Sequence, residues 1–242
     1  MSCSRVEKIT VTLQKPGVTM RFLLIFLLII TIPLWAQNKV KQTFKRYMNT
    51  ANSAGLTGEE TARYLLALNG LNTVSVTQSK GIMGDHYDPI KSVIRLSPKH
   101  FSTPSLTSAV VAAHEVGHAL QDHQGYVLFK FRQALYPVAA IGSNLAFYLL
   151  IFGVLFGFNQ LAVYGLVFMS TIVLFQLATL PVELNASHRA MNQLLSANVI
   201  TSEETGGARQ ILNAAALTYV AAVLVALLQF FYFFFAIFGG RR

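Results

Sequence analysis

Charge is scarce in this sequence. Only 12% of its 242 residues are Asp, Glu, Lys or Arg, about half the roughly 25% of an ordinary soluble domain. The scarcity is uneven. No charged residue occurs from Gln133 to Val182, a run of 50, nor from Gln210 to Gly240, a run of 31. A small water-soluble domain has too little interior to hide that much uncharged chain, so an ordinary soluble fold is excluded. Cysteine is almost absent: Cys3 is the one copy. That rules out an internal disulfide and a metal site built from cysteines. Acidic residues number 10 against 19 Lys and Arg, a formal charge of +9. The basic residues follow no nucleic-acid motif with interleaved aromatics, so no nucleic-acid partner is expected. They sit in the polar segments beside apolar runs, where Lys and Arg meet the anionic surface of a lipid bilayer.

A bilayer core takes about 20 apolar residues per helix. The longer uncharged run holds two spans, about Val138 to Phe158 and Leu161 to Leu180, with Asn159-Gln160 as the turn between them. The shorter run holds one, about Ala214 to Phe238. A further apolar stretch, Phe22 to Ala36, is short for a span. It has the length of a signal peptide cut after Ala36, but Pro33, Leu34 and Trp35 are unlike the small residues of a cleavage site. Trp35 suits a membrane interface, and Lys39, Lys41, Lys45 and Arg46 follow at once. A retained first span is therefore expected. Residues 1–19 are polar and unpatterned, Met20-Arg21 looks like a natural start, and 1–19 is read as a leader or an extension. The expected division is a first span at 20–36, a membrane-surface domain at 37–137, two spans at 138–180, a polar helical connection at 181–213, and a last span with a basic tail at 214–242. The fold class is mainly α: an integral-membrane helical bundle of about four spans with a small α+β domain.

Within that domain, "LTGEETARYLLALNG" reads as a helix with Thr57 and Glu60 as a capping box and Asn69-Gly70 as its stop. Residues 73–78 alternate like a strand, the loop "SKGIMGDHYDP" follows, and 92–97 form a second short strand. Pro104-Ser105 opens a helix that runs to about Gln124 and ends at Gly125.

That helix carries "AAHEVGHALQDH", residues 112–123. Its core, HEVGH, has the His-Glu-x-x-His pattern of zinc hydrolases. Residues four apart share a helix face, so His114 and His118 can reach one metal. Glu115 stands beside them as a base. Zinc lowers the pKa of a bound water to about 7, so a carboxylate can take its proton at neutral pH. One zinc ion per chain is expected, and zinc hydrolysis calls for a third protein ligand. His123 would turn away from the metal face if the helix continues, and the metzincin spacing fails because Gln121 and Gln124 stand where Gly and His would be. His86 and His100 lie in loops, and His188 lies beyond the third span. Glu183 is the strongest candidate: it is the only acidic residue between Asp122 and Glu203, just past the 50-residue run and Pro181. Two crossings separate it from HEVGH and return the chain to the same side.

The sequence resembles the YugP-like membrane zinc metallopeptidases, also called neutral zinc metallopeptidases. The stretches that carry the resemblance are "AQNKVKQTFKRY", "SAGLTGEETARYLLALNGL", "GDHYDPIKSVIRLS", "VVAAHEVGHALQ", "PVELNASHRA" and "NAAALTYVAAVLVALLQ", which together cover nearly all of 22–238 in order. The resemblance implies a membrane zinc peptidase with a zincin-like domain, more distantly similar to membrane gluzincins. It implies Glu183 as third ligand, with Ser187, four residues on, against the first histidine. It also implies an edge strand that pairs with substrate, placed at Val93, Ile94, Arg95 and Leu96. His86, Tyr87 and Asp88 are placed at the cleft, and Tyr87 or His188 as a donor to the oxyanion.

The loops carrying HEVGH and Glu183 share 13 of the Lys and Arg residues, Lys39 to Arg209, which favours a cytoplasmic catalytic face in a bacterial inner membrane. The expected activity is endopeptidase cleavage of membrane or membrane-proximal proteins. The alternatives are a zinc-keeping membrane scaffold or a zinc hydrolase of non-peptide substrates. A structural zinc site is normally closed by four protein ligands, and three are found here, which favours catalysis.

Overall fold

The structure is a computed structural model that describes residues 16–80 and 84–239. Of the expected leader, residues 1–15 lie outside the described residues, as do 81–83 of the loop before His86 and 240–242 of the basic tail.

The first helix, α1, runs Pro16–Met48. It does not stop at Ala36, because nothing from Gln37 to Met48 breaks a helix: no glycine or proline occurs there. Two other long helices behave in the same way. Taking the elements in chain order, α2 is Gly58–Leu68, β1 Ser75–Gln78, β2 His86–Asp88, β3 Val93–Leu96, α3 Pro98–Ser102, α4 Leu106–His123, α5 Val127–Leu155, α6 Asn159–Ser196 and α7 Thr205–Phe238. The polar connection expected at 181–213 is therefore the end of α6, a short break at 197–204, and the start of α7. The turn between α5 and α6 lies at 156–158 rather than at Asn159-Gln160. Gly157 sits there at φ 71°, a left-handed conformation that costs glycine little, and Asn159 already begins α6.

Among the described residues, four helices are long and apolar enough to cross a membrane: Leu23–Met48, Val127–Leu155, Asn159–Ser196 and Thr205–Phe238. The chain forms two compact units, and these helices contribute to both. One unit comprises Met1–Trp35, Phe131–Leu180 and Tyr219–Arg242. In it Ala146, Leu150 and Met169 are buried, with Phe168, Ile172, Phe230, Phe233 and Ile237 packed on them. Small residues let α5 and α6 approach: a side chain at Gly153 would collide with the backbone of Ala162, and one at Gly165 with Leu150. In lipid, where apolar surface gains nothing by hiding from its surroundings, such close packing drives helix association.

The other unit comprises Ala36–Lys130 and Pro181–Thr218. Its core gathers Leu65, Leu66, Val76, Ile94, Leu96, Leu106, Val110, Val116, Leu194 and Ile211. The capping box forms at α2, with Glu60 N–H donating to Thr57 Oγ1 at 3.2 Å and Thr57 N–H to Glu60 Oε2 at 2.8 Å. The sheet has the order β1-β3-β2, with β1 parallel and β2 antiparallel to β3. This corrects the expected edge strand. Val93, Ile94, Arg95 and Leu96 form the central strand, hydrogen-bonded on both sides, because Val93, Ile94 and Leu96 are buried and draw the strand into the core. The edges fall to β1 and to β2, the latter in the segment expected to be a loop. Asp88 shapes its turn: Oδ1 accepts from the amides of Ile90 and Lys91, both at 3.1 Å, and Oδ2 from Arg95 at 3.0 Å.

Helix α4 begins at Ser105, whose hydroxyl accepts from Ser108 N–H, and stops before Gly125 at φ 66°. It is buried on nearly every side, which explains its run of Ala, Val and Gly. Gly117 is where α6 crosses it: a Cβ there would lie 2.7 Å from the Ala186 carbonyl oxygen. Neither partner in that clash is a flexible side chain, so the helices must part. Gly117→Ala should cost about 1–3 kcal/mol and lower the melting temperature in detergent. Gly206→Ala, where nothing lies within 4 Å of the added Cβ, should leave it unchanged; equal effects from both would show that the crossing is not tight.

Candidate metal centre

His114 and His118 lie one turn apart on α4, with rings edge to face at 4.8 Å between centroids. Glu183 comes from α6, two residues past Pro181, and is only 2% exposed. His114 Nε2 is 3.2 Å and His118 Nε2 3.4 Å from Glu183 Oε2. Among the described residues these three form the one group of His, Cys, Asp or Glu side chains whose ligand atoms gather within 4.8 Å. Tetrahedral zinc bound at about 2.1 Å holds its ligand atoms roughly 3.4 Å apart. Two imidazole nitrogens and one carboxylate oxygen at the observed separations match that donor set in both chemistry and size.

The far side of each imidazole is also engaged. Ser187 Oγ lies 3.3 Å from His114 Nδ1, the contact that the resemblance implied for the residue four after Glu183. His118 Nδ1 lies 3.0 Å from Gln121 Oε1, and the Phe129 ring packs 6.1 Å from that of His118. With both Nδ1 atoms turned to protein partners, both Nε2 atoms face Glu183. In the sequence Gln121 stands out only as a misfit to the metzincin spacing, three residues after His118.

Glu115 is buried beside this group. Burial pushes its carboxyl up to about 7; the His114 charge and a backbone hydrogen bond from Tyr87 oppose the rise, and the negative charges of Glu183 and Asp85 add to it. A carboxyl in that position can both take and return a proton near neutral pH.

The other singled-out residues have partners of their own outside the His114–His118–Glu183 group, and of these Tyr87 reaches Glu115 through its backbone. His86, on β2, has Nδ1 2.9 Å from the Gly84 carbonyl and Nε2 3.4 Å from Arg95 Nη1. The Tyr87 hydroxyl donates to Asp122 Oδ2 at 2.9 Å, which ties β2 to α4; burial first, then Asp122, pushes the phenol well above its ordinary value. His188 is exposed on α6 with Nε2 3.2 Å from Asn192 Nδ2. His123 is exposed at the end of α4. His100 pairs through Nδ1 with Asp85 Oδ2 at 2.6 Å.

Asp85 holds the start of β2 in place, since its Oδ1 also accepts from Ser97 N–H at 2.6 Å. Burial alone would raise its carboxyl, but the His100 hydrogen bond and charge and the Ser97 bonds more than offset this and hold it below its ordinary 3.8. A depressed carboxylate stabilises the fold above its unfolded pKa, and that contribution disappears as pH falls through the folded value. Asp85→Asn should therefore melt at lower temperature than wild type at pH 7, and the gap should close as pH falls below about 4. A gap unchanged by pH would rule out the charged pair as its source.

Residues 22–238 match the family described as "Putative neutral zinc metallopeptidase". The chain is 45% identical over 204 residues to "Putative membrane protease YugP" of Bacillus subtilis (strain 168), covering 84% of this chain and 91% of that one. No solved structure matches.

Proposed function

The chain belongs to the neutral zinc metallopeptidase family, and on that premise we propose that it is a membrane-bound, zinc-dependent endopeptidase cutting membrane or membrane-proximal proteins. The observation that carries this reading is the convergence of His114 Nε2, His118 Nε2 and Glu183 Oε2 from two helices that meet 65 residues apart in sequence. These three residues would hold one zinc ion per chain. Zinc supplies, when bound, the Lewis acidity that polarises a peptide carbonyl and makes water acidic near pH 7.

Glu115 handles the proton. It takes one from the attacking water as the water oxygen bonds to the carbonyl carbon, and returns it to the amine nitrogen as the C–N bond breaks. The buried α4, the three-stranded sheet and the Glu183 segment of α6 together make the zincin-like catalytic unit. One edge strand, β2, offers main-chain groups to an extended substrate, so strand addition is assigned to His86–Asp88 rather than to Val93–Leu96. The tie from Tyr87 to Asp122 keeps that edge against the zinc helix. Lys and Arg gathered in the segments carrying HEVGH and Glu183 favour the cytoplasmic face.

The full-length protein in detergent should bind about one zinc per chain by elemental analysis. Alanine at His114, His118 or Glu183 should remove most of it, and alanine at His86, His123 or His188 should not. Glu115→Gln should keep zinc and lose about 10²–10⁴-fold in cleavage of an unfolded membrane-protein substrate. Full zinc in Glu183→Ala would overturn the ligand set, and full cleavage by Glu115→Gln would overturn the proton route.

A further inference from the structure

Gln121 is fully buried and makes three side-chain hydrogen bonds. Its Nε2 donates to the Val182 main-chain oxygen at 2.8 Å and to Asn185 Oδ1 at 3.0 Å. Its Oε1 faces His118 Nδ1 at 3.0 Å. Asn185 Oδ1 also accepts from Arg189 Nε at 2.7 Å. Arg189 is anchored in turn by a hydrogen bond from Nη1 to Gln124 Oε1 and by the Tyr126 ring 6.0 Å from its guanidinium carbon.

The direction of every bond in this chain is forced. A guanidinium only donates, so Asn185 must present oxygen to Arg189. A carbonyl only accepts, so Gln121 must present its NH₂ to Val182. That leaves Gln121 Oε1 toward His118, and an amide oxygen can only accept. His118 Nδ1 must then carry a proton, which turns Nε2 toward Glu183 as the nitrogen that would take the metal. His114 is held differently, since the Ser187 hydroxyl both donates and accepts and leaves its tautomer open.

We propose that Gln121 is a positioning residue for the metal centre: the relay Arg189–Asn185–Gln121 presets the Nδ1–H tautomer and ring orientation of His118 before metal arrives. The same side chain reports the register of the two ligand-bearing helices, since it bridges α4 to α6 one residue from Glu183. The inference rests on the zinc reading for its function, and on hydrogen-bond geometry alone for the tautomer.

The test uses the full-length protein in detergent, stripped of metal. Zinc affinity is measured by competition with a chromophoric chelator, and the imidazole nitrogens of His118 are followed by ¹⁵N NMR. Wild type should show His118 as the single Nδ1–H form. Gln121→Met, close in shape but without an acceptor, should mix the tautomers and weaken zinc binding about 10–100-fold. Arg189→Met, outside the metal's reach, should weaken it by a smaller factor and covers the case in which Gln121→Met does not fold. Wild-type zinc affinity in both variants, or a single Nδ1–H form surviving in Gln121→Met, would overturn the relay. If wild type binds no zinc, the peptidase reading fails, while the NMR comparison still decides the tautomer.

Discussion

A carboxylate that is 2% exposed is the constraint on which the packing of α4 against α6 depends. Taking an unpaired carboxylate out of water costs several kcal/mol even after relaxation, so Glu183 needs positive or hydrogen-bonding partners close by. The two imidazoles of α4 face it at 3.2 and 3.4 Å. That requirement fixes how α6 crosses α4, and the crossing requires a residue without a side chain at Gly117, where the Ala186 carbonyl presses in. Gln121, Asn185 and Ser187 then tie the same two helices around the same spot. Helix crossing and ligand geometry are one interaction seen at two scales.

Two buried carboxylates lie within this small volume in different surroundings. Glu183 faces both imidazoles through Oε2. Glu115, one residue from His114, is raised to about 7 by burial and by the charges on Glu183 and Asp85. In the proposed peptidase the two would serve as a permanent ligand and a mobile proton carrier. The Asp85–His100 pair adds a support from outside: it anchors the start of β2 while its charge reaches Glu115.

Much of this arrangement was legible in residue order. Charge deserts marked the apolar helices, and the i, i+4 spacing of His114 and His118 marked a shared face. An isolated acid after two crossings pointed to Glu183. The strands were less legible. Val93–Leu96 and His86–Asp88 are both short, and periodicity cannot tell a central strand from an edge; burial of Val93, Ile94 and Leu96 decides that. Helix ends do not coincide with the expected span bounds, for a related reason. Polarity changes at Ala36 and Pro181, but the helix continues across both, so composition and helix boundaries part company. Pro181 is tolerated inside α6 where a sequence rule would stop the helix.

The sequence by itself determined the chemistry on offer: two histidines and a glutamate on one helix, no cysteine ligands, and a chain apolar enough to enter a membrane. These follow from residue type and local spacing, which need no knowledge of what lies across the fold. Tertiary structure decided which groups meet. It chose Glu183 rather than His86, His100, His123 or His188 to face the two Nε2 atoms, and it put β2, not Val93–Leu96, at an edge of the sheet. It also set Gln121 between His118 and the α6 backbone. Each of those outcomes depends on how α4 and α6 pack, and such packing is set by contacts distant in sequence that no local pattern records.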